Sequence, residues 1–170
     1  TSAQILIVED DRIVARDIAQ QMSRAGYVVV GSTGSGEDAL ALVETLAADS
    51  KPDLVLMDVR LEGELDGIDT ARRIREARDI PVVFLTAYAD EETIRRATAA
   101  EPYGYVLKPF DDMQLRTVVE MALYKHGAER RLRESEQRYA ITLSSIGDGV
   151  LSTDVDGFVT FVNLAGEALT

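Results

Sequence analysis

The sequence predicts an α/β fold over its first 125 residues, a doubly wound five-stranded parallel sheet with helices on both faces. Two observations predict it. Short apolar runs alternate strictly with longer amphipathic stretches, the pattern of strands joined by crossover helices. Several of those runs are continuously apolar, as strands covered on both faces are, and each stops abruptly at a polar residue. Composition sets the bounds. The chain has 170 residues, 18 Lys and Arg against 30 Asp and Glu, and a formal charge of −12. Without cysteine there is no disulfide, thiol nucleophile or thiolate metal site, and a reducing, cytoplasmic setting is expected. His126 is the single histidine, which excludes multi-histidine metal sites. The acidic balance argues against nucleic-acid binding, no apolar run approaches a membrane span, and no signal peptide is read at Thr1.

Taken in order, Ile5-Leu6-Ile7-Val8 is the first strand and breaks at Glu9-Asp10-Asp11. Residues 12–25 carry Ile13, Val14, Ile18, Ala19 and Met22 at helical spacing, and Gly26 is placed to stop that helix. Tyr27–Val30 reads as the second strand, Gly31–Gly36 as a flexible loop, and residues 36–48 as the second helix. Asp53–Asp58 is the third strand, ending on an acid. Asp66 with Asp69 resembles a capping pair for a helix carrying Ile68, Ala71 and Ile74. Pro81–Thr86 is the fourth strand, residues 90–100 a weaker helix, and Tyr103–Leu107 the fifth strand. A last helix begins near Asp111.

Beyond residue 125 the composition changes. Residues 126–140 form a charge-rich helical linker, and along and beside it Ala122, Leu132, Tyr139, Leu143 and Ile146 fall on heptad-compatible positions, with Lys125, Glu129 and Glu136 on the same seam. Gly127 is the weak point: one alternative is a helix broken there, the other a continuous rod that pairs with a second copy into a homodimer. Residues 141–170 change to period two. Gly149–Asp154 and Phe158–Val162 read as a β-hairpin turning at Val155-Asp156-Gly157, and a lone hairpin is marginal.

In an open parallel sheet, ligands gather outside the carboxyl ends of the strands. The sequence places Glu9, Asp10 and Asp11 there after strand one, Asp58 at strand three, Thr86 at strand four and Lys108 at strand five. Carboxylates gathered this way repel one another unless a cation intervenes, and hard divalent cations take oxygen ligands. Magnesium suits the set better than calcium, because it needs few carboxylates and completes its shell with water and phosphate oxygens. A carboxylate neutralised so can accept a phosphoryl group, with Lys108 and the Thr86 hydroxyl holding its oxygens. The plain alternative makes each acid a helix cap, Lys108 a solvated lysine and Thr86 a good strand residue.

These residues carry a resemblance. Residues 4–125 resemble the receiver domain of two-component response regulators in Ile5-Leu6-Ile7-Val8-Glu9-Asp10-Asp11, Leu56-Met57-Asp58, Leu85-Thr86-Ala87 and Gly104-Tyr105-Val106-Leu107-Lys108-Pro109-Phe110. The resemblance implies a flavodoxin-like fold, Asp58 as phosphoacceptor, Asp10 as a direct Mg²⁺ ligand, Glu9 as a ligand through water, and the backbone carbonyl of Arg60 as a further ligand. It also implies that Thr86 follows the phosphoryl group, that Tyr105 is the aromatic switch residue, that Lys108 contacts a phosphoryl oxygen, and that Lys108–Pro109 is cis. Glu9 stands where many members have Asp, which lengthens one ligand arm. Such a receiver catalyses its own aspartyl phosphorylation and dephosphorylation. Its partner is a histidine kinase or phosphotransfer protein.

Arg131-Leu132-Arg133-Glu134-Ser135-Glu136-Gln137-Arg138-Tyr139 resembles the linker into a PAS domain. Residues 141–170, with Ile146-Gly147-Asp148-Gly149-Val150 and Phe161-Val162-Asn163, are similar to that domain's beginning. Receivers so arranged precede a kinase or diguanylate cyclase output. The competing class is a stand-alone magnesium phosphohydrolase or nucleotide-binding α/β protein. Against it, the Gly31–Gly36 stretch has no Gly-Lys-Ser/Thr ending, and Val59-Arg60 supplies no second carboxylate after Asp58. Arg72, Arg73, Arg75 and Arg78 read as a solvated helix face.

Overall fold

A computed structural model describes residues 2–47, 50–87, 91–145 and 149–168. It divides into two units, Thr1–His126 and Gly127–Thr170. In the first, five parallel strands, β1 (Gln4–Val8), β2 (Val28–Thr33), β3 (Leu54–Asp58), β4 (Val82–Thr86) and β5 (Gly104–Leu107), stand in the order β2-β1-β3-β4-β5. The helices are α1 (Arg12–Arg24), α2 (Gly36–Thr45), α3 (Gly67–Arg78), α4 (Glu91–Ala99) and α5 (Asp112–Ser145). The doubly wound parallel sheet is therefore as expected.

The pleat sorts the core. Ile5, Ile7, Leu54, Leu56, Val83 and Leu85 face α1 and α5, where they meet Ile18, Met22, Leu115 and Val119. Leu6, Val8, Val55, Met57 and Phe84 face α2, α3 and α4, where they meet Ala39, Ile68, Ile74 and Ala97. Because successive side chains point to opposite faces, a strand covered on both sides must be apolar at every position. β1 and β3 lie side by side, yet α1 and α3 leave them toward opposite faces. That divergence opens a crevice at their carboxyl ends.

Side chains set the helix ends. Asp11 caps α1, accepting the amides of Ile13 at 2.8 Å and Val14 at 3.2 Å. Asp66 caps α3, accepting the Asp69 amide at 2.8 Å, as the capping pair predicts. Asp111 and Gln114 cap α5 reciprocally, each side chain accepting the other's backbone amide. At the end of α1, Gly26 takes φ 91°, and the amides of Gly26 and Tyr27 bond back to Ser23 and Met22.

This last motif corrects one boundary. Tyr27 is consumed in terminating α1, so β2 starts at Val28. It then runs on through Gly31-Ser32-Thr33, which pair with Leu6, Ile7 and Val8; the first half of the glycine-rich stretch is strand, and only Gly34 and Ser35 remain as connection before α2. Helix α2 ends at Thr45, short of the expected residue 48, which lies outside the described residues.

Gly67 governs how close α3 comes to β3. A Cβ at that position would lie 1.8 Å from the Asp58 carbonyl oxygen, a distance no side chain tolerates.

Helix α5 passes through Gly127 without a break and ends at Ser145. Ala122 is fully buried against the sheet, so it cannot belong to the exposed seam on which the heptad reading placed it. Leu132 and Tyr139 are exposed. The Leu143 side chain and Ile146-Gly147-Asp148, from the same seam and the PAS-like motif, lie outside the described residues.

In the second unit, β6 (Leu151–Thr153) and β7 (Val159–Val162) form an antiparallel hairpin followed by α6 (Leu164–Glu167). Gly157 takes φ 88° at the turn. The Asp154 carboxylate accepts the amides of Asp156 at 3.0 Å and Phe158 at 2.9 Å. At the open end, Asn163 bonds Val150 in both directions, its amide to the Val150 carbonyl and its Oδ1 to the Val150 amide. No helix among the described residues is long and apolar enough to cross a membrane.

Gly67→Ala tests the close approach of α3. Moving the helix or strand to admit one methyl should cost about 1–3 kcal/mol, read as a lower midpoint in urea unfolding.

Candidate functional site

The crevice between β1 and β3 collects the polar strand ends. Glu9 follows β1 and is buried, Asp58 closes β3 and is buried, and Asp10 stands at the mouth. One carboxylate oxygen from each of the three lies within 4.8 Å of the others. Lys108, just past β5, reaches back across β4's end. Its Nζ donates to Glu9 Oε2 at 2.6 Å and to Asp58 Oδ2 at 2.5 Å. Backbone donors complete the shell, the Arg60 amide to Asp58 Oδ1 at 2.9 Å and the Asp11 amide to Glu9 Oε1 at 3.2 Å.

The pairing leaves the cluster short of positive charge, with one ammonium facing three carboxylates. Burial pushes the Glu9 carboxyl up from 4.5 to about 7; the Lys108 hydrogen bond opposes this, and the Asp58 charge adds to it. Burial alone would lower the Lys108 ammonium, but its bonds to Asp58 and Glu9 outweigh burial and raise it. An all-oxygen donor set with uncompensated negative charge fits a hard divalent cation such as Mg²⁺.

Thr86 ends β4 and is buried. Its carbonyl accepts the Lys108 amide at 2.7 Å, so β4's end is joined directly to the residue that carries the ammonium. Tyr105, opposite Phe84 in the β4–β5 ladder, keeps its ring centroid 5.9 Å from the Phe84 ring and is 42% exposed. The Lys108–Pro109 peptide is cis, as the resemblance implies. The structure therefore brings Glu9, Asp10, Asp58 and Lys108 into one cluster, with Thr86 on its border and Tyr105 on the outer edge of the sheet. Asp11 is a helix cap turned away to serve α1.

Several contributors have no sequence signal. Arg96 of α4 bonds Asp66 at 2.8 Å and Asp69 at 3.3 Å, tying α4 to the cap of the helix that follows Asp58. Glu37 of α2 accepts two amides of the β3–α3 loop. Both depend on contacts between residues about 30 apart, which no local pattern displays. The arginines of α3 are all exposed, as a solvated face predicts, and two of them also make ion pairs. Arg72 pairs with Asp69, and Arg75 pairs with Glu101 while donating to the Ala100 carbonyl at 3.2 Å.

Comparison with known proteins agrees with this geometry. Residues 5–120 match the response regulator receiver domain family. The transcriptional regulatory protein PdtaR of Mycobacterium tuberculosis is 38% identical over 120 residues, covering 71% of this chain and 56% of PdtaR. The chain thus spans little more than half the length of that relative. The receiver domain of a modulated diguanylate cyclase from Desulfovibrio desulfuricans superposes with TM-score 0.70 at 36% identity, over 76% of this chain and 99% of that one. The N-terminal domain of a response regulator/sensory box/GGDEF three-domain protein from Carboxydothermus hydrogenoformans gives TM-score 0.67 at 38% identity, over 74% and 98%.

The raised Glu9 carboxyl has a consequence for stability. The folded chain holds a proton on Glu9 up to about pH 7 that the unfolded chain releases near 4.5. Proton binding therefore favours the folded state at low pH, and that stabilisation is lost as pH rises through this window. In the cation-free protein, urea midpoints should fall from about pH 5 to about pH 8, and Glu9→Gln should flatten the fall.

Proposed function

The chain belongs to the response regulator receiver family, and from that premise we propose that Asp58 accepts the phosphoryl group in a two-component phosphorelay. The observation that carries this reading is the Asp58 carboxylate itself, held by the Lys108 ammonium and the Arg60 amide within reach of Glu9 and Asp10. The donor is the phosphohistidine of a histidine kinase or phosphotransfer protein. A carboxylate oxygen of Asp58 attacks phosphorus, the P–N bond breaks, and its electron pair leaves with the imidazole nitrogen, which takes up a proton.

Magnesium would be held by Asp10, Asp58, the Arg60 carbonyl and, through water, Glu9; it supplies the charge neutralisation that lets two anions approach. Lys108 stabilises charge on the transferring oxygens. The Thr86 hydroxyl takes a phosphoryl oxygen once the acyl phosphate has formed. Movement of Thr86 is passed to β5 through its bond with the Lys108 amide, and Tyr105, three residues back on β5, repacks against Phe84 as the switch.

The proposed organisation is a receiver over residues 1–125, a helical linker over 126–140 and the beginning of a PAS domain over 141–170. Two features support it, the uninterrupted α5 and the hairpin with exposed apolar residues on the second unit, Leu151, Phe158 and Val159. Of the kinase or cyclase outputs expected, the likeness to a receiver of a diguanylate cyclase and to the N-terminal domain of a response regulator/sensory box/GGDEF protein supports the cyclase. Leu132 and Tyr139, seven residues apart and exposed, form a narrow apolar stripe on α5 that a second copy would cover.

Incubation with Mg²⁺ and acetyl phosphate should add one phosphoryl group to the wild type and none to Asp58→Asn, measured by intact mass. Equal labelling of the two would reject Asp58 as acceptor. In sedimentation at micromolar concentration the wild type should be a dimer, and the double variant Leu132→Glu, Tyr139→Glu a monomer that still labels at Asp58.

A further inference from the structure

Glu37 is bound in a way that phosphoryl transfer at Asp58 does not account for. It is the second residue of α2, with its side chain on the protein surface. Its Oε1 nevertheless accepts the amides of Glu64 at 3.2 Å and Leu65 at 3.1 Å, residues 27 and 28 positions away. Gly63, at φ 123°, passes over the same carboxylate, and a Cβ there would stand 3.0 Å from Oε2. Immediately before it, Gly36 brings the α2 backbone against the same loop, since a Cβ at Gly36 would lie 3.1 Å from the Leu65 Cβ.

The loop so gripped is the one that leaves the acceptor. Its inner turn is closed by the Arg60 amide on Asp58 Oδ1 and by the Gly67 amide on the Val59 carbonyl at 3.1 Å. Its outer lobe, Leu61–Leu65, has no regular structure. Glu62 in that lobe lines the cleft shared with Glu9, Asp10 and Arg12. If the lobe were free, closing the site around a cation would have to order it at the moment of binding, and the entropy lost would weaken binding.

We propose that Glu37 is a positioning residue: by holding the Glu64 and Leu65 amides it preorganises the β3–α3 loop and so sets the Mg²⁺ affinity of the Glu9–Asp10–Asp58 edge. The inference rests on the magnesium reading of that edge given above. Because both amides bond one oxygen, the neutral amide of glutamine can replace the carboxylate in this role, its carbonyl accepting both bonds. Alanine cannot.

The test combines amide hydrogen exchange with Mg²⁺ titration by calorimetry on the full chain. Glu37→Ala should speed exchange at Glu64 and Leu65 and weaken Mg²⁺ binding on the order of tenfold, the lower end of what outer-shell partners of metal sites contribute. Its rate of Asp58 labelling at saturating Mg²⁺ should equal that of the wild type, and Glu37→Gln should resemble the wild type in all three measurements. Faster exchange in Glu37→Ala with unchanged Mg²⁺ affinity would overturn the inference. So would equal weakening in the alanine and glutamine variants, which would assign the effect to charge alone. Absence of Mg²⁺ binding in the wild type would instead reject the magnesium reading itself, and the inference with it.

Discussion

Asp58 is a carboxylate at the end of a strand that is buried along its whole length, and compensating it organises everything at that edge of the sheet. A buried carboxylate without a partner costs several kcal/mol. Lys108 provides the partner from two strands away, and in doing so also holds Glu9. One ammonium faces three acids there, and burial, with the Asp58 charge adding to it, leaves Glu9 holding its proton. The result is an acidic, all-oxygen cluster of the kind that suits a hard cation. The apolar sheet behind the cluster offsets the cost of burying these charges.

Beside the side-chain bonds of Lys108, backbone bonds tie the neighbours of Asp58 to the adjoining elements. The Lys108 amide is bonded to the Thr86 carbonyl, the Val59 amide to the Leu85 carbonyl, and the Gly67 amide to the Val59 carbonyl. A displacement of β3's end is thus felt at β4 and at the start of α3. Arg96 adds a link from α4 to Asp66 and Asp69, so the helix after Thr86 and the helix after Asp58 share a pair of carboxylates. The result is a small set of elements whose positions are mutually constrained around Asp58, with Tyr105 exposed on the edge strand.

Much of this edge is legible in the amino-acid sequence, because the relevant signals are local. Apolar runs that stop at Glu9, Asp58, Thr86 and Lys108 mark strand ends, and a parallel sheet puts all such ends on one edge. The three adjacent acids at residues 9–11 are harder to separate. A single residue of register decides that Asp11 turns to cap α1 while Glu9 and Asp10 join the cluster. Tyr27 reads as part of β2 because its apolar character fits a strand, whereas the glycine beside it commits its amide to the end of α1. Ala122 fits a heptad seam equally well, but the helix face it lies on is already taken by the sheet.

Periodicity and capping act over a few residues, so local pattern suffices for the alternation of strands and helices, the cap at Asp66, the start of α5 near Asp111, and the residue that ends each strand. Packing between distant segments settles the rest. It makes Lys108 reach Glu9 as well as Asp58, requires Gly67 to lack a side chain, and sets Arg96 and Glu37 as braces on the two sides of the β3–α3 connection. The physical origin of these features is the close approach of helices to a sheet buried on both faces, which brings together groups whose spacing along the chain carries no period.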